Sequence, residues 1–124
     1  FTPKSLLRAA DCVSPKSELE NGSFKEIILD HEVSLDKARK VLFCTGKIYY
    51  ELLAKRKADN VSDIAIVRVE QLYPFPEEDL RVALEPYKHI TDVVWCQEEP
   101  MNQGAWYSSQ HRMRRVLHRI NSDI

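Results

Sequence analysis

Three short, continuous apolar runs, each followed by a polar turn and then a helical pattern, constrain this chain more than any other feature. They are Val41–Thr45 (VLFCT), Ile64–Val69 (IAIVRV) and Val93–Cys96 (VVWC). Val41–Thr45 reads as an interior strand, Val93–Cys96 as a strand buried on both faces, and Ile64–Val69, apolar but for Arg68, as a further strand. After the first, Gly46 turns the chain and Lys47–Ala58 reads as a helix. Ile48, Leu52 and Leu53 share its apolar face with Tyr49, and Lys55, Arg56 and Lys57 crowd the last turn, where cations suit the helix dipole. After the second run, Pro74 and Pro76 stiffen the loop Glu70–Pro76 and push Tyr73 and Phe75 to extended geometry. Glu77, Glu78 and Asp79 then open a helix whose inward side is Leu80, Ala83 and Leu84, and Pro86 stops it. After the third run come Gln97, Glu98, Glu99 and Pro100. Asn102 is placed to cap a last helix running from Gln103 to about Arg119, with Met113, Val116, Leu117 and Ile120 inward.

Strand and helix alternating three times predict an α/β fold, a three-layer α/β/α domain with a mostly parallel sheet. Right-handed crossovers then gather the strand C-termini on one edge. That edge carries Thr45-Gly46-Lys47, Glu70-Gln71 and Gln97-Glu98-Glu99, and the carboxyl ends of strands are where open α/β sheets place interaction sites. Upstream, Phe24–Leu29 (FKEIIL) reads as a further strand and residues 30–39 as a charged surface connection. Residues 1–23 are polar and punctuated, with at most a short helical turn around Ser14–Leu19. A last helix with nothing after it usually returns to another strand, so the sheet is expected to lack its last strand. Residues 1–124 are expected to form a single domain belonging to something larger, since the chain opens on Phe1-Thr2-Pro3.

The charge balance excludes several classes. With 18 basic and 19 acidic residues the net charge is −1, so no overall field draws nucleic acid or a membrane surface. No apolar run nears the roughly 20 residues that span a bilayer. Three cysteines, Cys12, Cys44 and Cys96, without CxxC spacing argue against a disulfide framework or a zinc site and fit a reducing compartment; Cys44 and Cys96 read as small buried hydrophobes. His31, His89, His111 and His118 have no ligand-gathering spacing. Thr45-Gly46-Lys47 lacks the upstream glycine and following hydroxyl of a phosphate loop, and three glycines leave no dinucleotide fingerprint. Glu98 and Glu99 diverge on leaving a strand, which favours salt bridges or a subunit contact over paired acid/base work. The basic last helix (Arg112, Arg114, Arg115, His118, Arg119) reads as a solvated C-terminal turn. Trp106, Tyr107, Tyr49, Tyr50 and Tyr73 form an aromatic population suited to an interface.

Four segments resemble the E1 component of 2-oxoglutarate dehydrogenases: TPKSLLR (Thr2–Arg8), FCTGKIYYELL (Phe43–Leu53), IAIVRVEQLYPFP (Ile64–Pro76) and WCQEEPMNQGAW (Trp95–Trp106). The last two together are specific, whereas TGK alone is weak. The resemblance implies a transketolase-type C-terminal domain of a thiamine diphosphate-dependent oxidoreductase. In that family the parent decarboxylates 2-oxoglutarate and passes the succinyl group to its E2 partner. Thiamine diphosphate and Mg2+ are held by an earlier domain with a GDG motif, absent here, so no catalytic, cofactor or metal residue is expected in this chain. The family role implied is to complete the fold, support a homodimer and, in some members, help form a regulatory site. The compartment implied is the bacterial cytoplasm or the mitochondrial matrix.

Two sets of residues follow as candidates. Lys4, Arg8 and Lys47 are a possible regulatory anion site, with solvated cations or salt-bridge partners as the plainer reading. Glu98, Glu99, Asn102, Gln103 and Trp106 are a possible interface. The alternative is a free-standing ligand-binding or dimerisation module of the same fold.

Overall fold

The computed structural model describes residues 3–33 and 37–123. The chain forms α1 (Lys16–Asn21), β1 (Ile27–Ile28), β2 (Lys40–Cys44), α2 (Ile48–Ala58), β3 (Ile64–Val69), α3 (Glu77–Leu84), β4 (Asp92–Trp95) and α4 (Trp106–Ile120). Short 3-10 turns cover Lys4–Leu6 and Glu85–Tyr87. The four strands form one mixed sheet in the order β1-β3-β2-β4, with β2 parallel to both β3 and β4, and β1 antiparallel to β3. The α/β reading and the mostly parallel sheet therefore describe the domain.

Layering follows from the crossovers. The step from β2 to β3 runs one way along the sheet, and the step from β3 to β4 runs back across β2. Right-handed connections in opposite directions put α2 on one face and α3 on the other. Side chains alternate accordingly. Val41, Phe43, Ala65, Val67 and Val69 join the core cluster with Leu80, Leu84, Tyr87, Met113, Val116 and Leu117 from the α3 and α4 side. Leu42, Ile64 and Ile66 point the other way and line a crevice with Leu52 and Arg56 of α2.

Several expectations need correcting. The strand expected over Phe24–Leu29 shrinks to Ile27–Ile28, because Phe24 lies out in solvent, 65% exposed, and Glu26 turns its carbonyl to the N–H groups of Glu70 and Gln71. The run at Val93–Cys96 is not covered on both faces. Its strand is Asp92–Trp95 at the sheet edge, with Val94 38% exposed. The last helix starts at Trp106 rather than Gln103, since Gln103 and Gly104 both fold back onto the Pro100 carbonyl in a turn. Residues 30–39 are more than a surface connection: Val33 and Ala38 are buried in the core, as is the Asp30 carboxylate, whose side chain is 4% exposed. Residues 34–36 of that stretch lie outside the described residues.

Candidate functional site

The ends of β2, β3 and β4 open on one edge, and because the crossover from β2 runs one way and that from β3 runs back across it, β2 and β4 flank the switch point at which such sheets form a crevice. Three small constructions occupy that edge.

The first is built on Gln97, just after β4. Its Oε1 accepts from the Trp95 indole N–H at 2.9 Å and from the Trp106 backbone N–H at 3.1 Å, while its Nε2 donates to the carbonyls of Glu99 and Pro100 at 3.0 and 3.1 Å. A single amide thus ties strand, turn and helix start together and satisfies a first-turn N–H of α4. Gly104 packs closely: a Cβ there would run into the Gln97 side-chain amide. Asn102, expected to cap the helix, is exposed and makes no such bond, because the cap comes from nine residues upstream of Trp106.

The second spans the crevice between β2 and β4. Gly46 takes φ +69°, a left-handed conformation that side-chain-bearing residues disfavour, and releases the chain into α2. Lys47 then places its Nζ 2.8 Å from Glu98 and 3.6 Å from Glu51. The Glu98 carboxylate holds the Lys47 ammonium above its usual pKa.

The third lies between β2 and β3. Glu70 Oε1 accepts from the Gly46 N–H at 3.3 Å and from Arg68 Nε at 3.1 Å. The Arg68 guanidinium sits over the Tyr49 ring, 4.5 Å from its centroid, and 5.8 Å from that of Tyr50. Burial works against the charge on Arg68, but Glu70 more than offsets it and the pKa is raised.

Of the expected anion-site residues, Lys4 and Arg8 are exposed on and beside the N-terminal 3-10 turn, and no hydrogen bond or ion pair joins them to Lys47 among the described residues. Of the expected interface residues, Glu98, Glu99, Asn102 and Gln103 are exposed and Trp106 is half-buried. Around them Met101 is 61% and Tyr107 54% exposed, and Tyr73, on the loop after β3, is 90% exposed. The sequence places Glu70 and Gln97 on this edge without their roles, and does not single out Arg68 or Gly104. The signal available was the glycine seven residues after a strand-end glutamine, flanked by two tryptophans.

Two basic groups also differ from expectation. Arg56 is buried rather than solvated at the end of α2: it donates to the carbonyl of Ile64, pairs with Asp30 and reaches Glu32 at 2.9 Å. Arg112 and Arg115 lie 3.0 and 3.4 Å from Glu77 at the start of α3. Cys44 is buried and its thiol is pushed up to about 12 by desolvation, while Cys12 and Cys96 are only half-buried.

Among the described residues no three His, Cys, Asp or Glu side chains converge to hold a metal ion, and no helix is long and apolar enough to cross a membrane. The chain has no GDG.

Fold and edge together define an α/β domain whose strand ends are tied by side chains and ringed by exposed aromatic and acidic groups. The family described as 2-oxoglutarate dehydrogenase C-terminal matches residues 13–123. The chain is 53% identical over 118 residues to the 2-oxoglutarate dehydrogenase E1 component of Haemophilus influenzae, which covers 94% of this chain and 13% of that protein. It is 56% identical to the E1 component of Azotobacter vinelandii, over 94% of this chain and 12% of that protein. It is 43% identical to the mitochondrial 2-oxoglutarate dehydrogenase of Dictyostelium discoideum, over 85% of this chain and 11% of that protein. The chain belongs to the 2-oxoglutarate dehydrogenase C-terminal family. It spans about an eighth of the length of the bacterial relatives it matches.

Proposed function

We propose that residues 1–124 are a single domain of a 2-oxoglutarate dehydrogenase E1 component, a thiamine diphosphate- and Mg2+-dependent oxidoreductase acting on a 2-oxo acid. The observation that carries this reading is identity of 53–56% to bacterial E1 components across nearly the whole chain. The domain's own part is structural. Cofactor chemistry lies in other regions of the parent, and the C-terminal strand edge packs against them or against the second copy of a homodimer. Exposed Met101 beside Glu99, with Tyr107 and Tyr73 also exposed, supports that edge as the contact face. The parent's succinyl product passes to the E2 partner of the complex.

The test is the reaction of the whole polypeptide. With thiamine diphosphate and Mg2+ it should decarboxylate 2-oxoglutarate in an artificial-acceptor assay, and residues 1–124 alone should show no turnover. A marked preference for 2-oxoadipate or pyruvate overturns the substrate. Turnover by residues 1–124 alone overturns the structural role.

A further inference from the structure

Cys44 and Cys96 come together only in the folded sheet. The parallel register of β2 and β4 pairs Phe43 with Trp95, and the ladder continues one step further, where the Cys96 N–H donates to the Phe43 carbonyl at 2.8 Å. The next rung is Cys44 opposite Cys96. Adjacent strands lie about 4.8 Å apart, inside the roughly 4.4–6.8 Å Cα separation that a disulfide bridges. Both side chains leave on the α2 face, since Phe43, Val93 and Trp95 face α4 and side chains alternate. The same rung continues into β3, where Cys44 pairs with Arg68. The two thiols differ in access. Cys44 is fully buried, whereas Cys96 is only partly buried.

The geometry points to Cys44 and Cys96 as a cross-strand dithiol that hydrogen peroxide closes to a disulfide. Peroxide reaches Cys96 first: its sulfur attacks one peroxide oxygen, the O–O bond breaks, and Cys96 sulfenic acid and water form. The sulfur of Cys44 then attacks the sulfenic sulfur, the S–O bond breaks, and the departing hydroxide takes the Cys44 proton and leaves as a second water. Two thiols have lost two electrons and two protons, and one peroxide has become two waters. Side chains standing parallel on neighbouring strands keep their Cβ atoms wider apart than a relaxed disulfide prefers, so the bond is strained and readily reduced. It pins together the chain ends from which Lys47 and Gln97 project. Cys12, on the N-terminal segment against Tyr50 of α2, is the third thiol and the internal control.

The intact native polypeptide, freed of reductant, is treated with hydrogen peroxide, its remaining thiols are alkylated, and it is digested with trypsin without reduction. Peptide Val41–Lys47 should appear joined to peptide His89–Arg112, lighter by two hydrogens than their sum, and the species should vanish after dithiothreitol. Cys96→Ser should abolish it, and Cys44→Ser should leave Cys96 proceeding to sulfinic acid. The proposal is overturned if Cys96 in the unsubstituted protein becomes sulfinic acid with Cys44 still a thiol. It is overturned equally if Cys96 resists peroxide, if the link runs to Cys12, or if it forms only after denaturation. The measurement on the unsubstituted chain decides the matter even where a serine variant folds poorly.

Discussion

The two faces of the sheet are held by different physics. On the α3 and α4 face, Val41, Phe43, Val67, Leu80, Met113 and Val116 form a continuous apolar core, and its ion pairs, Glu77 with Arg112 and Arg115, lie at the rim. On the α2 face the helix buries only Leu53 and Arg56. Its anchor is the Arg56 guanidinium, with its side chain 7% exposed, against an Asp30 carboxylate 4% exposed. Asp30 in turn accepts from the N–H groups of Ile66, Glu32 and Val33 at 2.8, 2.9 and 3.3 Å. One face is fastened by area, which is forgiving of detail. The other is fastened by a desolvated charge pair, which is stable only while complete.

The sharpest way to break this contrast is to remove half of the pair. Arg56→Ala leaves a buried carboxylate without its countercharge and should destabilise the protein by about 3–5 kcal/mol. On the apolar face Leu80→Ala, at a fully buried position, should cost about 2–5 kcal/mol. The two differ in rescue. Arg56→Met combined with Asp30→Asn should recover much of the loss, because both charges are removed while an amide oxygen can still accept from the Ile66 N–H. No second deletion rescues Leu80→Ala. Urea unfolding of the four proteins measures this, and an Arg56→Ala midpoint close to that of the parent would show that packing, not charge, holds α2.

Acid should loosen the same face selectively. Burial by itself raises the Asp30 carboxyl, but hydrogen bonds from Arg56 and the Ile66 N–H outweigh it and hold the group below the usual carboxylate range. A folded pKa below the unfolded value of about 3.9 means stability that is complete above that pH. It is lost as pH falls through the lower, folded pKa. Unfolding free energy measured from about pH 5 downward should therefore fall less steeply in Asp30→Asn than in the parent. Equal slopes would remove Asp30 as a source of acid sensitivity.

The contrast also explains what the sequence made legible. β2 and β3 stand where VLFC and IAIVRV lie, because a strand with neighbours on both sides leaves a mostly apolar run, interrupted in β3 only by Arg68. The same rule located β4 but misjudged its burial. VVWC is as apolar as the others, yet it borders solvent, and run length reports burial without reporting which neighbours supply it. Arg56 read as a dipole-matching cation because its partner Asp30 lies 26 residues away with no period to betray it. The last helix was started three residues early for a related reason: its first free N–H is satisfied from Gln97, while local capping rules look only at the residue next door. The acidic and aromatic edge was legible as a candidate contact surface, but the amide that organises it was not.

That amide supports a smaller prediction. Gln97→Ala strands the Trp95 indole N–H and the Trp106 backbone N–H, both half-buried, and should cost about 1–3 kcal/mol. Gly104→Ala should act through the same contact, since the added Cβ meets the Gln97 amide and forces it aside. The two should then be strongly non-additive, with the double variant little worse than Gln97→Ala alone. Tryptophan fluorescence should shift alike in all three. Additive losses would mean that Gly104 serves the turn at Pro100 rather than the approach of Gln97.

The smallest effect is expected one residue on, and its smallness is the point. Lys47 and Glu98 meet at 2.8 Å, but their side chains are 33% and 41% exposed, so water and salt screen the attraction and both long side chains must be held still to keep it. Glu98→Gln should therefore leave the urea midpoint of the protein within experimental scatter, in contrast to the neighbouring Gln97→Ala. Raising the salt concentration should change neither result, because Gln97 acts through neutral hydrogen bonds and the Glu98 pair is already weak. A loss from Glu98→Gln equal to that from Gln97→Ala would make the edge part of the fold's own scaffolding. The predicted indifference would leave Glu98, an exposed carboxylate, free for contacts outside the domain, as the proposed contact face needs.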